Sequence, residues 1–341
     1  MDIKCLNKKE LTELILNNEK ETSKELMEAA LSKKQQYYQN KIYVRGLIEF
    51  TNICKNNCLY CGIRAENKAV NRYRLDKKTI LACCDTGHRL GFSTFVLQGG
   101  EDLYFTADKM CDIIYSIKEK YPDCAVTLSI GEKPREEYAQ YKKAGADRFL
   151  LRHETANDLH YQKLHPEEMS LKSRKECLYN LKELGFQTGA GFMVGSPYQT
   201  TENLAEDLLF LKELEPEMVG IGPFLPHHDT PFGAYSKGSL PLTITMLTLT
   251  RLMLPKVLLP STTALATLDP ENGRRLGFLA GANVVMPNLS PPDNRGDYSL
   301  YDDKLSTGNE AAQSIAFLKN EIEAAGFELD MSRGDNIDFQ N

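Results

Sequence analysis

Tryptophan is absent from the 341 residues, and no apolar run approaches the ~20 residues that a membrane-spanning helix needs. The first residues, Met1-Asp2-Ile3-Lys4-Cys5, lack the apolar core of a signal peptide, so none is expected. There is no basic excess: 41 Lys and Arg against 47 Asp and Glu leave a net charge of −6, which argues against a general binder of nucleic acid or anionic membranes. No G-x-G-x-x-G follows the first β-like run, which counts against a dinucleotide-binding open sheet. Low-complexity segments and long linkers are missing too, so nothing divides the chain into separate units. What remains is an ordinary globular composition, 42% apolar and 26% charged, with ample material for a core. Nine cysteines without a disulfide-scaffold pattern fit a reducing compartment, and a soluble cytoplasmic protein is expected.

Three of those cysteines stand together in Cys54-Lys55-Asn56-Asn57-Cys58-Leu59-Tyr60-Cys61, a C-x3-C-x2-C run. Thiolates suit iron–sulfur clusters, zinc and Cu(I). A structural zinc or ordinary cluster site wants four protein ligands, whereas three leave one metal position open to a substrate or cofactor. The alternative is half of a zinc site completed by distant ligands, but the other six cysteines form no second C-x2-C. Three cysteines in a loop just after the apolar run 44–50 are the signature of the radical S-adenosylmethionine (SAM) superfamily.

Residues 1–40 read as helices, with Leu11, Leu14, Ile15, Leu26 and Met27 at helical spacing amid lysine and glutamate, a cap on the rest. From residue 44, β-like runs at 44–51, 93–98, 124–130, 147–153, 187–193, 217–223, 257–263 and 282–287 alternate with amphipathic stretches at 76–91, 106–120, 134–144, 170–184, 201–214, 241–254 and 270–279. This α/β alternation predicts a complete (β/α)8 TIM-type barrel over 41–305, its active face at the C-terminal strand ends. Residues 306–341 are expected to add a helix at 311–325 and a polar end within the same domain.

Polar residues at strand ends are the informative ones. Gln98-Gly99-Gly100-Glu101 ends the second run, where two glycines bare the backbone and a carboxylate can meet an ammonium group. The fourth ends Leu150-Leu151-Arg152-His153-Glu154-Thr155, and period-two alternation puts Arg152 and Glu154 on one face. There a carboxylate can accept ribose hydroxyls and a guanidinium can bind an anion, or the two can form an internal ion pair. Arg174, near the next helix start, could reach over the mouth to SAM's carboxylate. Thr127 and Ser129 share a face with Ala125, while Cys124 takes the helix-facing side and reads as core, as do Cys83 and Cys84. Residues 189–195 are small enough to leave room for adenine. Thr262 and Thr263 on the seventh run, with Tyr298 and Tyr301 after the eighth, could line a lower cavity with hydroxyls. His227-His228-Asp229 reads as a polar loop, because three adjacent residues rarely converge on one ion.

The segments Ile48-Glu49-Phe50-Thr51-Asn52-Ile53-Cys54, Asn71-Arg72-Tyr73-Arg74, Val96-Leu97-Gln98-Gly99-Gly100-Glu101-Asp102, Leu128-Ser129-Ile130-Gly131-Glu132, Arg152-His153-Glu154-Thr155-Ala156-Asn157 and Ala282-Asn283-Val284-Val285-Met286-Pro287-Asn288 together carry a closer likeness. From about residue 45 to 304 the chain resembles the HydE family of radical SAM maturases, which help assemble the active cluster (H-cluster) of FeFe-hydrogenase. The resemblance implies a [4Fe–4S] cluster on Cys54, Cys58 and Cys61, with SAM on the open iron. It puts Tyr60, Gly99, Gly100, Glu101, Ser129, Glu154 and Arg174 around SAM. It lines a deeper anion-accepting cavity with Arg152, Thr127, Thr262, Thr263, Tyr298 and Tyr301. Reductive cleavage of SAM would yield a 5′-deoxyadenosyl radical aimed at a cysteine-ligated iron carbonyl cyanide precursor. Partners implied are a reducing electron donor and the other maturases in transient contact, with no nucleic acid and no membrane. Some members carry extra C-terminal cysteines for an accessory cluster; none follows Cys177 here, so that cluster is not expected. Methylornithine synthase and biotin synthase are the rival radical SAM readings, and a non-catalytic Fe–S or zinc scaffold the rival outside the class. Biotin synthase needs further barrel cysteines, which residues 189–194 lack.

Overall fold

The computed structural model describes residues 3–305 and 312–339. Two capped helices come first. Asn7 and Glu10 form a reciprocal capping box at α1 (Lys8–Asn18), and the Ser23 hydroxyl accepts the Leu26 N–H at α2 (Lys24–Tyr38). Their apolar faces, including the fully buried Leu11, Ile15 and Ala30, pack against later helices.

The chain then enters β1 (Lys41–Val44) and β2 (Gly46–Thr51), followed by α3 (Lys77–Arg89), β3 (Thr94–Gly99), α4 (Ala107–Lys120), β4 (Ala125–Ser129), α5 (Arg135–Ala144) and β5 (Arg148–Leu150). After α6 (Asp158–Leu164) and α7 (Leu171–Glu183) come β6 (Gln187–Ala190), β7 (Met193–Val194), α8 (Thr201–Leu214), β8 (Met218–Val219), β9 (Gly222–Pro223) and α9 (Leu240–Met253). The last third holds α10 (Thr263–Leu268), α11 (Gly273–Leu279), β10 (Val284–Val285), α12 (Pro292–Arg295), α13 (Ile315–Ala324) and β11 (Glu328–Asp330). The order β2-β3-β4-β5-β6-β8 forms a six-stranded sheet, parallel throughout, in registers such as Leu47↔Val96, Phe95↔Val126 and Phe149↔Thr188. Parallel strands are covered on both faces, which is why β2 and β4 are buried almost end to end. Cys83, Cys84, Cys124 and Cys177 are buried in the main core.

The run expected as a strand at 257–263 is reduced to two parallel bridges, Met218↔Leu258 and Pro260↔Val284. Pro260 has no N–H to give to a ladder. The Leu259 N–H goes to the Asn283 side chain at 2.8 Å, and the Thr262 hydroxyl caps α10 instead of continuing a strand. Thr262 and Thr263 therefore stand at a helix start. Bridges of the same kind join Leu47 to Asn288, beside the pairing of β1 with β10. The helix expected at 311–325 is observed from 315 to 324, and residue 311 lies outside the described residues.

The tail does more than end the chain. β11 adds to β1 in parallel, and residues 333–336 then cross the N-terminal ends of β3, β5 and β6. Thr94 and Arg148 both donate to the Arg333 carbonyl, at 2.9 and 2.7 Å. Asp335 accepts from Arg148 at 2.5 Å, from Gln187 at 2.7 Å and from Arg333 at 2.8 Å. Burial alone would raise the Asp335 carboxyl; Arg148, then Arg333 and Gln187, overcome that and hold it down at about 2. A carboxyl depressed from 3.8 stabilises the fold above about pH 4 and loses that contribution as pH falls toward 2. Asp335→Asn is expected to cost roughly 2 kcal/mol at pH 7, following the size of the shift. The gap from wild type should close as the pH falls through that window. Denaturant melts of both proteins across pH check this, and equal stability at pH 7 would show that Asp335 does not hold the tail to the sheet.

Candidate active site

The C-x3-C-x2-C loop leaves the C-terminal end of β2 and is pinned by backbone bonds from distant elements. Lys55 donates to the Glu101 carbonyl at 3.0 Å, Leu59 to Leu164 at 2.9 Å and Gly62 to Leu300 at 2.8 Å. Gly100 has to be glycine: a Cβ there would lie 2.3 Å from the Ile53 carbonyl and 2.8 Å from the Cys54 Cβ. All three thiols are free and half-buried. Burial raises each of them, and mutual repulsion adds to this at Cys58 and Cys61, the latter pushed up to about 12. Three such thiols resist ionisation without a cation among them, which a metal cluster provides.

Ligand number bears on the kind of metal. Three cysteines with a fourth position left open suit a [4Fe–4S] cluster rather than a closed structural zinc site. Among the described residues, the one set of three ligand atoms within 4.8 Å of one another is His227, His228 and Asp302. The histidine set is satisfied without metal. Nδ1 of His227 accepts the Asp229 N–H at 3.2 Å, and Asp302 takes Nδ1 of His228 at 2.7 Å. The polar loop expected at 227–229 is thus what forms, with Asp302 as its anchor.

Around the loop, the structure brings most of the sequence-predicted residues together. The Tyr60 hydroxyl lies 3.2 Å from Nε2 of His165, with the rings edge to face at 5.5 Å. Burial, then the nearby Glu154, pushes the Tyr60 hydroxyl well above its ordinary value. Gly99 closes β3 and Ser129 closes β4. Glu101 is buried, with its carboxylate on Lys55 at 3.2 Å and on the Glu132 N–H at 3.1 Å. Gly99 is half-buried and Gly100 buried, with the Gly100 N–H on the Thr51 carbonyl at 3.1 Å. Arg174 is no solvated helix residue. It is buried, with Nε on Glu132 at 2.5 Å and Nη1 on the Arg152 carbonyl at 2.7 Å, and its charge acts on Cys58.

Arg152 and Glu154 do face one another, though not by strand alternation. β5 ends at Leu150, and Glu154 sits in the left-handed region at φ 66°, held by its N–H to Gly191 at 3.0 Å. Nη2 of Arg152 and Oε2 of Glu154 are 3.0 Å apart, but not aligned as a hydrogen bond. Nε and Nη2 of Arg152, Oε2 of Glu154 and Oγ1 of Thr127 are all buried without a hydrogen-bond partner. An orphaned buried polar group costs about 1–3 kcal/mol. The orphaned atoms of Arg152 and Glu154 lie side by side and mark a place that a polar ligand completes, and the hydroxyl and charged groups of SAM fit that donor and acceptor set.

Tyr298 is buried and accepts Nε2 of Gln98, near the C-terminal end of β3, at 3.4 Å. Tyr301 is half-buried in the loop that follows. Thr262 keeps its hydroxyl near Gly222 while capping α10, and Thr263 lines a small recess with Ser261, Arg274 and Leu318. Sequence reasoning assigned no role to a second buried charge pair. Glu49, fully buried mid-strand in β2, binds Nζ of Lys304 at 2.5 Å and Nδ2 of Asn288 at 2.8 Å, with Lys304 also on the Tyr298 carbonyl. A glutamate inside the apolar run Leu47-Ile48-Glu49-Phe50 was the available signal.

With this geometry in place, known proteins give the relationship. Residues 48–211 match the Radical SAM superfamily. The chain is similar to the FeFe-hydrogenase maturase subunit HydE of Thermotoga maritima, 44% identical over 316 residues that cover 93% of this chain and 90% of that protein. It is similar to 3-methylornithine synthase of Methanosarcina acetivorans at 26% identity over 304 residues, 89% of this chain and 85% of that one. A crystal structure of methylornithine synthase superposes with a TM-score of 0.82 at 26% identity, covering 95% of this chain and 94% of the other. Identity at that level across nearly the whole of both chains decides between them: this chain belongs to the HydE family of radical SAM enzymes, whose chemistry uses a [4Fe–4S] cluster and SAM.

Proposed function

We propose that this chain acts in H-cluster assembly, cleaving SAM reductively and directing the resulting radical at a cysteine-ligated iron carbonyl cyanide precursor. One observation carries the reading: Cys58 and Cys61 lie within electrostatic reach of Glu154, and buried side-chain atoms of Glu154, its neighbour Arg152 and Thr127 lack hydrogen-bond partners. The near-complete 44% identity to a HydE protein supports the same assignment. A [4Fe–4S] cluster held by Cys54, Cys58 and Cys61 would supply the single electron that reductive cleavage of SAM requires.

The chain's own residues do the rest. Cys54, Cys58 and Cys61 ligate the cluster. The backbone of 99–101 receives the methionyl amine and Arg174 its carboxylate, while Glu154 takes the ribose hydroxyls and Tyr60 and Ser129 border the adenosyl group. Arg152 and Thr127 face the substrate from one side, and Tyr298, Tyr301, Thr262 and Thr263 from the other. Water must be kept out, because an alkyl radical abstracts hydrogen from whatever it meets first. For that reason we also propose that the lumen is a complete (β/α)8 barrel, spanning 41–305 and joined in one domain by the cap 1–40 and the tail 306–341. The isolated bridges from Met218 to Leu258, Pro260 to Val284 and Leu47 to Asn288 support closure. Free thiols suit the reducing cytoplasm, no described helix is long and apolar enough to cross a membrane, and the net charge of −6 gives no reason to invoke nucleic acid. An electron donor and the other maturases are the partners the reaction calls for.

The close superposition on methylornithine synthase makes that chemistry the second reading. Anaerobically reconstituted protein, given dithionite and SAM, should release 5′-deoxyadenosine, and with the other maturases it should activate an apo-hydrogenase. Release without activation would favour an amino-acid substrate. No release at all would leave only a cluster-binding scaffold.

A further inference from the structure

In the segment Asn71-Arg72-Tyr73-Arg74, Arg72 spends its side chain on the cysteine loop. Nη1 donates to the carbonyls of Asn52 at 2.6 Å and Ile63 at 2.8 Å, and Nη2 to those of Arg64 at 2.6 Å and Asn67 at 2.9 Å. A guanidinium has five N–H donors in a rigid plane, so four of them are committed to backbone here. Asn52 lies two residues before Cys54 and Ile63 two after Cys61, so one planar group joins both ends of the loop. The surrounding bonds reinforce it. Asn52 donates to the carbonyls of Asn71 and Asp297 and accepts the Tyr73 N–H, and Asn67 donates to the Gly62 carbonyl. Among the described residues no carboxylate forms an ion pair with Arg72, and its charge acts on Cys54 and Cys61.

We infer that Arg72 is a positioning residue for the cluster, holding Cys54 and Cys61 at their separation through its fork and easing reduction through its unbalanced positive charge. The electrostatic half follows from sign: reduction adds a negative charge to the cluster, and a fixed cation nearby favours the reduced state. The inference rests on the reading that Cys54, Cys58 and Cys61 hold the cluster.

Two variants separate fork from charge. Arg72→Lys keeps the cation, but three donors on one point cannot span four carbonyls. Arg72→Gln loses both. In the full chain without cluster, amide hydrogen exchange over 52–67 should quicken about tenfold or more in both variants while the sheet stays protected. In reconstituted protein, redox titration followed by electron paramagnetic resonance should show the reduced fraction of Arg72→Gln falling about tenfold at fixed potential, which is about 59 mV for one electron. Arg72→Lys should stay close to wild type in that titration. Unchanged loop exchange in both variants overturns the positioning role, and an unchanged potential in Arg72→Gln overturns the charge role. Should Arg72→Gln not fold, loop exchange in Arg72→Lys decides the first point, and the potential of a second charge-removing variant, Arg72→Met, decides the second. A wild-type chain that takes up no cluster would instead defeat the reading of the cysteines, and the loop-exchange result would stand apart from it.

Discussion

Alanine in place of any one of Cys54, Cys58 or Cys61 is expected to remove the broad visible absorbance of the reconstituted protein and to drop SAM cleavage below detection. Three ligands leave no spare, since the fourth iron must stay open for SAM. No other thiol is placed to substitute. Cys83, Cys84, Cys124 and Cys177 are buried in the core, Cys111 is half-buried on α4 and Cys5 is exposed in the N-terminal segment. Serine at Cys83, Cys84, Cys111 or Cys177 should therefore keep the cluster. The fully buried Cys84 would lose about 1–3 kcal/mol of stability for an unmatched hydroxyl. Absorbance, iron and sulfide content and 5′-deoxyadenosine release on the same set of variants test this. Iron at twice the content of a single four-iron cluster would contradict the claim that this chain needs only one. So would a cysteine variant outside the loop that lost its absorbance.

What could be read from the sequence follows the range of the forces involved. The C-x3-C-x2-C loop is a local pattern with its chemistry written into residue type, and the structure puts its thiols together at a strand end. Amphipathic helices were legible because their period is local: the stretch at 106–120 is observed as α4 at 107–120, and that at 201–214 as α8 over the same residues. Strand-like runs were legible as runs but not as ladders. Residues 257–263 look like β-structure by composition, yet Pro260 and the Asn283 side chain take away the bonds a strand requires. Other features depend on partners far along the chain. The Arg174 contacts to Glu132 and the Arg152 carbonyl come from other segments, and the polar tail gained a role only from Arg148 and Gln187 at the N-terminal ends of β5 and β6. Pairing of Glu49 with Lys304 spans most of the chain, so the lone buried glutamate carried the only local hint.

Arg152→Ala is expected to keep the cluster, to cleave SAM slowly without substrate, and to lose hydrogenase maturation by about a hundredfold or more. The size follows from a buried charge-assisted contact worth roughly 1.5–3 kcal/mol in binding, together with loss of the orientation that brings a reacting sulfur to the radical carbon. The geometry favours a ligand partner over a structural one. Glu154 lies within 3.0 Å, but among the described residues Nε and Nη2 of Arg152 make no hydrogen bond to it or to any other group. Its backbone, by contrast, is well held, since the Arg152 carbonyl accepts Arg174. Truncating the side chain therefore leaves Arg174 in place for SAM. The opposing account makes Arg152 the counter-charge of Glu154, whose carboxylate would be stranded in the lumen. The two accounts part on measurements made with one variant. If Arg152 serves the substrate, the melting temperature and SAM affinity stay near wild type while maturation fails. Should melting temperature and SAM cleavage fall together with maturation, Arg152 is a partner of Glu154 and the substrate role is lost.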